Sequence, residues 1–189
     1  MRKTAVDIFS GAGGLSIGAE MSGIEIVLAV EYDKYAADSF KNNHKQTIVL
    51  AKDIRKVNPL EHISKNPFIL IGGPPCQGFS ISNTKTRNLD NPNNWMFKEY
   101  FKFLEQLEPE WFLFENVEGF KSFNKGSFAI NIENKFKALG YTTNSKVLCA
   151  ADFGVPQKRN RFFIIGNKSN IKFDFDSMKK VTPITVEEA

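Results

Sequence analysis

A cysteine in a turn rich in glycine and proline is the residue of this sequence best suited to covalent chemistry. Cys76 lies in the string Gly-Gly-Pro-Pro-Cys-Gln-Gly-Phe-Ser at residues 72–80, directly after an apolar run at 68–71 that is typical of a buried strand. The thiol is therefore expected at the carboxyl end of a strand, where open α/β sheets bind ligands. A buried, inert cysteine is the alternative, but the polar Gln77 and Ser80 argue against a packed core and favour a nucleophile.

A carboxyl group is predicted to face the same pocket. The apolar run at residues 111–114 stops at Glu115 and Asn116, and a helical pattern at 96–107 separates it from the cysteine turn. A β-α-β unit makes the two strands parallel neighbours, so Glu115 and Cys76 should line one pocket. Partial burial beside an apolar run favours the protonated carboxyl group, which suits a hydrogen-bond donor or general acid.

The first 55 residues have the pattern of a nucleotide-binding unit. A strand at 4–9 leads through the glycine turn at 11–14 into a helix at 15–21, and a second strand at 25–30 ends at Glu31. The glycine spacing is not G-x-G-x-x-G, but an acid about 20 residues after such a turn is where these folds bind a ribose diol. Asp53, after a third strand at 47–50, is either an acceptor for an adenine amino group or a helix cap.

A polar stretch at residues 81–94 follows the cysteine turn and has almost no periodic apolar residues. A loop of this length is typical of a lid or a binding loop, in which Lys85 and Arg87 could reach phosphates. The alternative is a surface excursion without a function.

The remaining pattern completes one α/β domain. Helices are expected at 34–43, with Tyr35, Ala36, Ala37 and Phe40 on the buried side, and at 127–139. Strands at 141–150 and 161–166 are joined by a link too short for a crossover helix, so they should form an antiparallel pair.

Composition limits the classes of protein to consider. The 189 residues are 42% hydrophobic and 24% charged, as in a globular chain, and the net charge of +4 is compatible with a polyanionic partner without establishing one. Cys149 is interpreted as structural, two cysteines make no disulfide framework, and His44 and His62 are expected at the surface without metal-like spacing. Without a signal pattern or an apolar run of about 20 residues, the expected location is intracellular, with no membrane contact.

Four motifs in a fixed order carry a family resemblance, and they are Phe9-Ser10-Gly11-Ala12-Gly13-Gly14, Gly73-Pro74-Pro75-Cys76-Gln77-Gly78-Phe79-Ser80, Glu115-Asn116-Val117 and Gln157-Lys158-Arg159-Asn160-Arg161. From about residue 6 to 166 the chain resembles the cytosine-C5 DNA methyltransferases. The resemblance implies a Rossmann-like methyltransferase fold, a mostly parallel sheet with a terminal antiparallel strand pair. It also implies double-stranded DNA as substrate and, by family analogy, a restriction-modification system.

The resemblance further implies S-adenosylmethionine as methyl donor and no metal. Glu31 would bind the ribose hydroxyls, while Tyr32, Asp53 and Ile54 would hold the adenine. The other implied cofactor residues are Phe9, Gly11, Ala12, Gly13, Gly14, Pro75 and Met96.

The implied mechanism acts on a cytosine flipped out of the duplex. Cys76 would add to C6, Glu115 would hydrogen-bond or protonate N3, and C5 would take the methyl group. Arg161 and Arg159 would contact the base and its phosphate surroundings and raise the thiolate fraction of Cys76. The implied DNA contacts are Gln77, Ser80, Ser82, Lys85 and Arg87.

The chain departs from the family pattern in two places. Asn93-Asn94 stand where the family often has Arg-Asn, and the sequence ends where the target-recognition region would begin. We therefore expect residues 1–189 to be a catalytic core, with the sheet and helices at 4–166 and a connection at 167–189. The recognition region would come from a second polypeptide or a further C-terminal region.

Three alternatives remain open from the sequence. The first is an RNA (tRNA) cytosine-C5 methyltransferase on the same scaffold. The second is a non-catalytic or split-enzyme subunit. The third, a nicotinamide dehydrogenase, fits the glycine turn and Glu31 but leaves the cysteine turn unexplained.

Overall fold

Strands and helices alternate along the chain in a computed structural model that describes residues 2–64, 66–75 and 96–188. Within these residues the strands are β1 (Thr4–Ile8), β2 (Glu25–Glu31), β3 (Ile48–Ala51), β4 (Ile69–Gly72), β5 (Trp111–Val117), β6 (Thr142–Cys149) and β7 (Asn160–Asn167). The α-helices are α1 (Gly14–Met21), α2 (Lys34–Asn43), α3 (Phe97–Leu107), α4 (Gly119–Ser122) and α5 (Ser127–Ala138). Short 3-10 turns include Ile54–Lys56, Ala150–Phe153 and Phe175–Ser177.

All the described strands belong to one sheet in the order β3-β2-β1-β4-β5-β7-β6. The first five positions of this order are parallel, whereas β7 pairs antiparallel with both β5 and β6. The expected fold, the adjacency of β4 and β5 and the terminal antiparallel pair are therefore confirmed. Because β1, β2, β4 and β5 are parallel, their carboxyl ends meet at one edge of the sheet.

An aromatic cluster packs helices α3 and α5 against one face of the sheet and explains much of the chain's high phenylalanine content. Tyr100 of α3 is fully buried, and its hydroxyl group lies 3.1 Å from the carbonyl of Leu70 and 3.0 Å from that of Leu113. Phe112 of β5 stacks on Phe136 of α5 with ring centroids 4.1 Å apart. The hydroxyl of Tyr100 thus fixes α3 to β4 and to β5, the strand that contains Glu115.

Strand β5 is longer than its apolar run indicated. The pairing with β7 continues through Glu115, Asn116 and Val117, which lie opposite Phe163, Phe162 and Arg161. Glu115 is therefore a strand residue and not the first residue of a loop. The backbone hydrogen bonds that extend β5 come from a strand about 45 residues later in the chain, so local sequence could not indicate them.

Two side chains of the α2 region are placed differently from the prediction. His44 is 3% exposed, not at the surface, because its ring lies 4.2 Å from that of Phe40 and its Nδ1 lies 3.0 Å from Glu20 Oε1. Tyr35 is 81% exposed, although it was expected on the buried side with Ala37 and Phe40, which are buried. Among the described residues, no helix is both long and apolar enough to cross a membrane.

Gly166 tests how tightly the sheet packs against the aromatic cluster. A Cβ atom on Gly166 would lie 2.3 Å from the Phe112 ring, which is fixed by its stacking on Phe136. We expect Gly166→Ala to lower the free energy of unfolding by about 1–3 kcal/mol, the usual cost of overpacking. Urea denaturation measures this change.

Gly18→Ala is the matched control, because a Cβ atom on Gly18 meets nothing within 4 Å and Gly18 lies in α1. This variant should be neutral or more stable by about 0.5–1 kcal/mol. Equal stability of the two variants would contradict the packing described here.

Candidate active site

The backbone of the turn between β1 and α1 requires glycine at two positions. Gly11 and Gly13 have φ values of 55° and 98°, in the left-handed region that favours glycine. Phe9 also has a positive φ, 58°, and lines a neighbouring cavity. An aromatic residue in this conformation is strained, and such strain is concentrated at functional sites.

The imidazole ring of His44 leaves no space for a side chain at one position of the glycine turn. A Cβ atom on Gly13 would lie 2.5 Å from His44 Nε2, so only glycine fits there. Nothing in the sequence around His44 indicated this contact, because α1 and α2 meet only in the tertiary fold.

Glu31 fixes the other side of the turn. Its Oε2 accepts a hydrogen bond from the backbone N–H of Gly11 at 2.7 Å, and its Oε1 accepts one from the N–H of Asp33 at 2.8 Å. Each carboxylate oxygen retains a second lone pair for a ligand. Glu31 at the end of β2 is therefore held in place, and it lines a cavity at this edge of the sheet.

A cavity of about 510 Å³ opens at the carboxyl edge of β1, β2 and β4. Seven of the predicted cofactor residues line it, and they are Phe9, Glu31, Tyr32, Asp53, Ile54, Pro75 and Met96. The predicted Gly11, Ala12, Gly13 and Gly14 are not among its lining residues, although Gly11 is bonded to Glu31. Sequence reasoning missed the other lining residues, which are Val30, Asp33, Lys52, Arg55 and Gly73.

Asp53 is a helix cap that also lines the cavity, and its contact with an adenine stays a prediction. Its carboxylate caps the short helix at Ile54–Lys56 by accepting from the backbone N–H of Arg55 at 3.0 Å, and it also lines the cavity. The Arg55 side chain donates to both carboxylate oxygens, with its Nε at 2.9 and 3.0 Å. This hydrogen bonding lowers the pKa of Asp53 to about 2.

A second cavity, of about 350 Å³, contains the predicted acid and both predicted arginines. Glu115, Arg159 and Arg161 line it together with Gly14 and Leu15 of the glycine turn and α1. Arg161 Nε lies 2.9 Å from Glu115 Oε1, and both side chains are less than a quarter exposed. The structure therefore brings the acid, the two arginines and the glycine turn to one cavity.

The protonation of Glu115 is set by opposing influences. Burial raises its pKa, while the positive charges of Arg161 and Arg159 and the hydrogen bond from Arg161 lower it, and the net direction is upward. A raised pKa favours the protonated form of the carboxyl group relative to an exposed glutamate, and this form can donate a hydrogen bond or a proton.

The beginning of the cysteine turn is held against Glu115. Asn116, 3% exposed, donates from its side chain to the carbonyl of Pro74 at 3.1 Å. A Cβ atom on Gly73 would lie 2.7 Å from Glu115 Oε2. Sequence reasoning assigned no role to Asn116, although an amide directly after the candidate acid was a signal.

The structure describes this part of the chain as far as Pro75, the residue before the predicted nucleophile. Cys76, with Gln77, Ser80, Ser82, Lys85 and Arg87, lies outside the described residues. The meeting of Cys76 and Glu115 in one pocket therefore stays a prediction, as do the DNA contacts of this turn and loop. No group of three or more His, Cys, Asp or Glu side chains within the described residues could hold a metal ion.

Asp7 is a buried acid beneath the glycine turn that sequence reasoning missed. It is fully buried in β1, and its Oδ2 accepts a hydrogen bond from Ser16 of α1 at 2.6 Å. Its Oδ1 has no hydrogen-bond partner among the described residues. Burial, opposed by the Ser16 hydrogen bond and reinforced by the charge of Glu31, raises the pKa of Asp7 to about 7.

The known proteins that are similar to this chain are described as methylases or methyltransferases. A family model described as C-5 cytosine-specific DNA methylase matches residues 3–188. The type II methyltransferase M1.HphI of Haemophilus parahaemolyticus is 38% identical over 100% of this chain and 52% of its own length. The type II methyltransferase M.AquIA of Picosynechococcus sp. is 35% identical over 93% of this chain and 76% of its own length.

A solved structure shares the fold along nearly the whole chain. A protein described as a prophage-encoded DNA modification methyltransferase (E. coli) superimposes with a TM-score of 0.83 at 28% identity, over 98% of this chain and 53% of that one. This chain thus spans about half the length of M1.HphI and of this structural neighbour.

The raised pKa of Asp7 predicts a pH dependence of stability. The folded protein keeps the Asp7 proton up to about pH 7, whereas the unfolded chain loses it near 3.8, so stability from this group is complete below 3.8 and is lost as the pH rises through 7. Asp7→Asn, which removes the ionisation, should flatten this dependence and raise the free energy of unfolding at pH 8 by on the order of 2–4 kcal/mol. Urea unfolding at a series of pH values measures both effects.

Asp38→Asn is the control, because Asp38 lies exposed on α2. Its unfolding free energies should follow the wild type at every pH. An Asp7→Asn curve parallel to the wild-type curve from pH 4 to 8 would refute the assignment.

Proposed function

Because the chain belongs to the C-5 cytosine-specific DNA methylase family, we propose that it is the catalytic part of a DNA cytosine-5 methyltransferase. The observation that carries this proposal is the Glu115–Arg161 pair, which lies in one cavity with the glycine turn and beside the start of the cysteine turn. The names of the relatives, which are type II methyltransferases, support a role in a restriction-modification system.

The first cavity fits S-adenosylmethionine. A ribose needs a carboxylate with free lone pairs, which Glu31 presents, and an adenine needs an acceptor beside an apolar surface, which Asp53 and Ile54 present. The bound cofactor would supply an electrophilic methyl group on a sulfonium. Further contacts would come from Phe9, Gly11, Ala12, Gly13, Gly14, Tyr32, Pro75 and Met96.

The second cavity fits a cytosine ring rotated out of the duplex. Carbon atoms inside a base stack are inaccessible to a side chain, so the base must leave the stack. The polar wall formed by Glu115, Arg159 and Arg161 suits the N3 edge of the base and its phosphate surroundings. Leu148, Phe153 and Phe163 supply apolar surface for the rest of the ring.

The proposed reaction begins with the thiolate of Cys76. Its sulfur forms a bond to C6, the electron pair of the C5–C6 double bond moves toward N3, and Glu115 donates a proton or hydrogen bond to N3. C5 would then form a bond to the methyl carbon while the bond from that carbon to the sulfonium sulfur breaks, so that S-adenosylhomocysteine is the leaving group. A proton given to N3 would return to Glu115. Loss of the C5 proton to solvent or a base and departure of the Cys76 thiolate restore the aromatic ring.

Two features of the site favour this sequence of steps. Burial raises the pKa of Glu115, which favours its protonated form relative to an exposed glutamate, and the contact of its Oε1 with Arg161 fixes the direction in which the carboxyl group points. The positive charges of Arg159 and Arg161 in the same cavity favour the thiolate form of a nearby cysteine.

The comparisons favour DNA over the RNA alternative, because the family model and the curated relatives are described as DNA methylase and type II methyltransferases. We further propose that a region beyond this stretch, on the same or another polypeptide, reads the target sequence. The shared stretch is half of M1.HphI but 76% of M.AquIA, so relatives differ in how much chain accompanies it.

Cofactor choice is tested by thermal unfolding with added ligand. S-adenosylmethionine should raise the melting temperature, because a ligand at 100 times its Kd stabilises the native state by about 2.7 kcal/mol. NAD should not. Glu31→Ala should reduce the ligand-induced shift, whereas Glu105→Ala, at an exposed position of α3, should not. A shift with NAD alone would favour the dehydrogenase alternative.

Covalent catalysis is tested by trapping. Duplex DNA with 5-fluorocytosine at the target position cannot lose its C5 substituent, so an adduct resistant to denaturation should accumulate when the cofactor and the sequence-reading region are supplied. Cys76→Ser should abolish this adduct, while Cys149→Ser should retain it. Glu115→Gln should slow its formation by on the order of 10²–10³-fold.

The same experiment distinguishes the alternatives. Adduct formation with tRNA but not with DNA would support the RNA methyltransferase, and an adduct that survives Cys76→Ser would refute the proposed nucleophile. Cofactor binding without any adduct would support a non-catalytic subunit.

A further inference from the structure

The chain after β7 returns across the sheet edge and does not leave the catalytic domain. The side chain of Asn167 closes the turn by donating to the carbonyl of Ile171 at 2.7 Å and accepting from its N–H at 2.9 Å. The following residues, 171–181, are called the return segment here.

Three contacts fix the return segment beside β6 and the turn that follows it. Asp176 forms an ion pair with Lys146 of β6. Lys180 Nζ lies 2.6 Å from Asp152 Oδ2, and the N–H of Val181 donates to the carbonyl of Asp152 at 2.9 Å. These contacts flank residues 177–179, so the backbone position of this short stretch is restrained from both sides.

Met178 is the residue that these contacts place at the second cavity. It lines the same 350 Å³ space as Glu115, Arg159 and Arg161, and it is partly buried. Its own N–H donates to the carbonyl of Phe175 at 3.4 Å, which ends the short helix at Phe175–Ser177. A flexible, polarisable thioether next to a polar wall can adapt to the flat face of a heteroaromatic ring.

We propose that Met178 forms an apolar wall of the pocket that receives the target cytosine, and that Asp152 and Lys180 position it there. This inference rests on the proposed function and adds a base-contacting residue outside the four motifs. It also assigns the return segment to the base pocket, in place of a passive connection to another region.

If Met178 only fills the cavity, its substitution should lower the stability of the fold without changing the kinetics of the reaction with DNA. A base contact has the opposite signature, since it changes the response to DNA while the cofactor site remains intact. The ligand-induced rise in melting temperature and the kinetics of adduct formation on 5-fluorocytosine DNA therefore separate the two roles.

The test compares Met178→Ala and Met178→Trp with the wild type, in the form of the protein that gives the wild-type adduct. Met178→Trp fills the cavity, so we expect adduct formation to slow at least about tenfold with an unchanged S-adenosylmethionine shift. Met178→Ala removes the contact, so the DNA concentration at half-maximal rate should rise by about three- to tenfold. Lys180→Ala should change the DNA response in the same direction by less.

Ile171→Ala is the control, because Ile171 belongs to the same segment, is 52% exposed and does not line the cavity. Wild-type kinetics in both Met178 variants would overturn the inference while leaving the proposed function intact. If Met178→Trp fails to fold, Met178→Ala alone decides. Absence of an adduct from the wild type would remove the proposed function and this inference with it.

Discussion

The close approach of three strands at the end of β4 is the constraint on which both cavities depend. A Cβ atom on Gly72 would lie 2.4 Å from the carbonyl oxygen of Ile8, and one on Gly73 would lie 2.7 Å from the carboxylate of Glu115. Only glycine lets β4 end between β1 and Glu115 of β5 at these distances. The chain that leads to Pro75 therefore passes between the first cavity, which Gly73 lines, and the acid of the second.

Three acids at or near this edge have different environments and therefore different chemistry. Glu31 accepts backbone hydrogen bonds, which hold it as a fixed acceptor beside the glycine turn. Asp7 is buried beneath that turn with one hydrogen bond, and it holds its proton up to about pH 7. Glu115 is partly buried beside Arg161, which keeps it oriented while burial raises its pKa. The environments of the three carboxyl groups, not their residue type, therefore give them different hydrogen-bonding and proton-binding properties.

The antiparallel end of the sheet brings distant parts of the chain to the edge at which both cavities open. Strand β7 runs back along β5, so Arg161 at its start lies opposite Val117 and its side chain reaches Glu115. A parallel strand in the same place would begin at the opposite edge of the sheet. The return segment then adds Met178 to the same cavity. The reversal of direction after β5 is thus what unites the acid and the arginines.

Local sequence indicated the strands and the longer helices, and it indicated which acids lie near strand ends. Apolar runs and helical patterns indicated these strands and helices, including the helix predicted at 96–107, and strand ends indicated Glu31 and Glu115. These predictions succeeded because periodicity and turn chemistry act within a few residues, and because β-α-β units have a fixed hand.

Only the tertiary structure decided the features that depend on partners far apart in sequence. Pairing with β7 extended β5 through Glu115, packing of α1 against α2 buried His44 beneath Gly13, and the return segment placed Met178 beside Arg161. Each depends on contacts between residues that lie far apart in the sequence, and neither residue of such a contact indicates the other in the sequence. The sequence by itself determined which chemical groups the protein has and at which edge of the sheet they lie. Long-range packing decided their burial, their ionisation and the separation of the edge into two cavities.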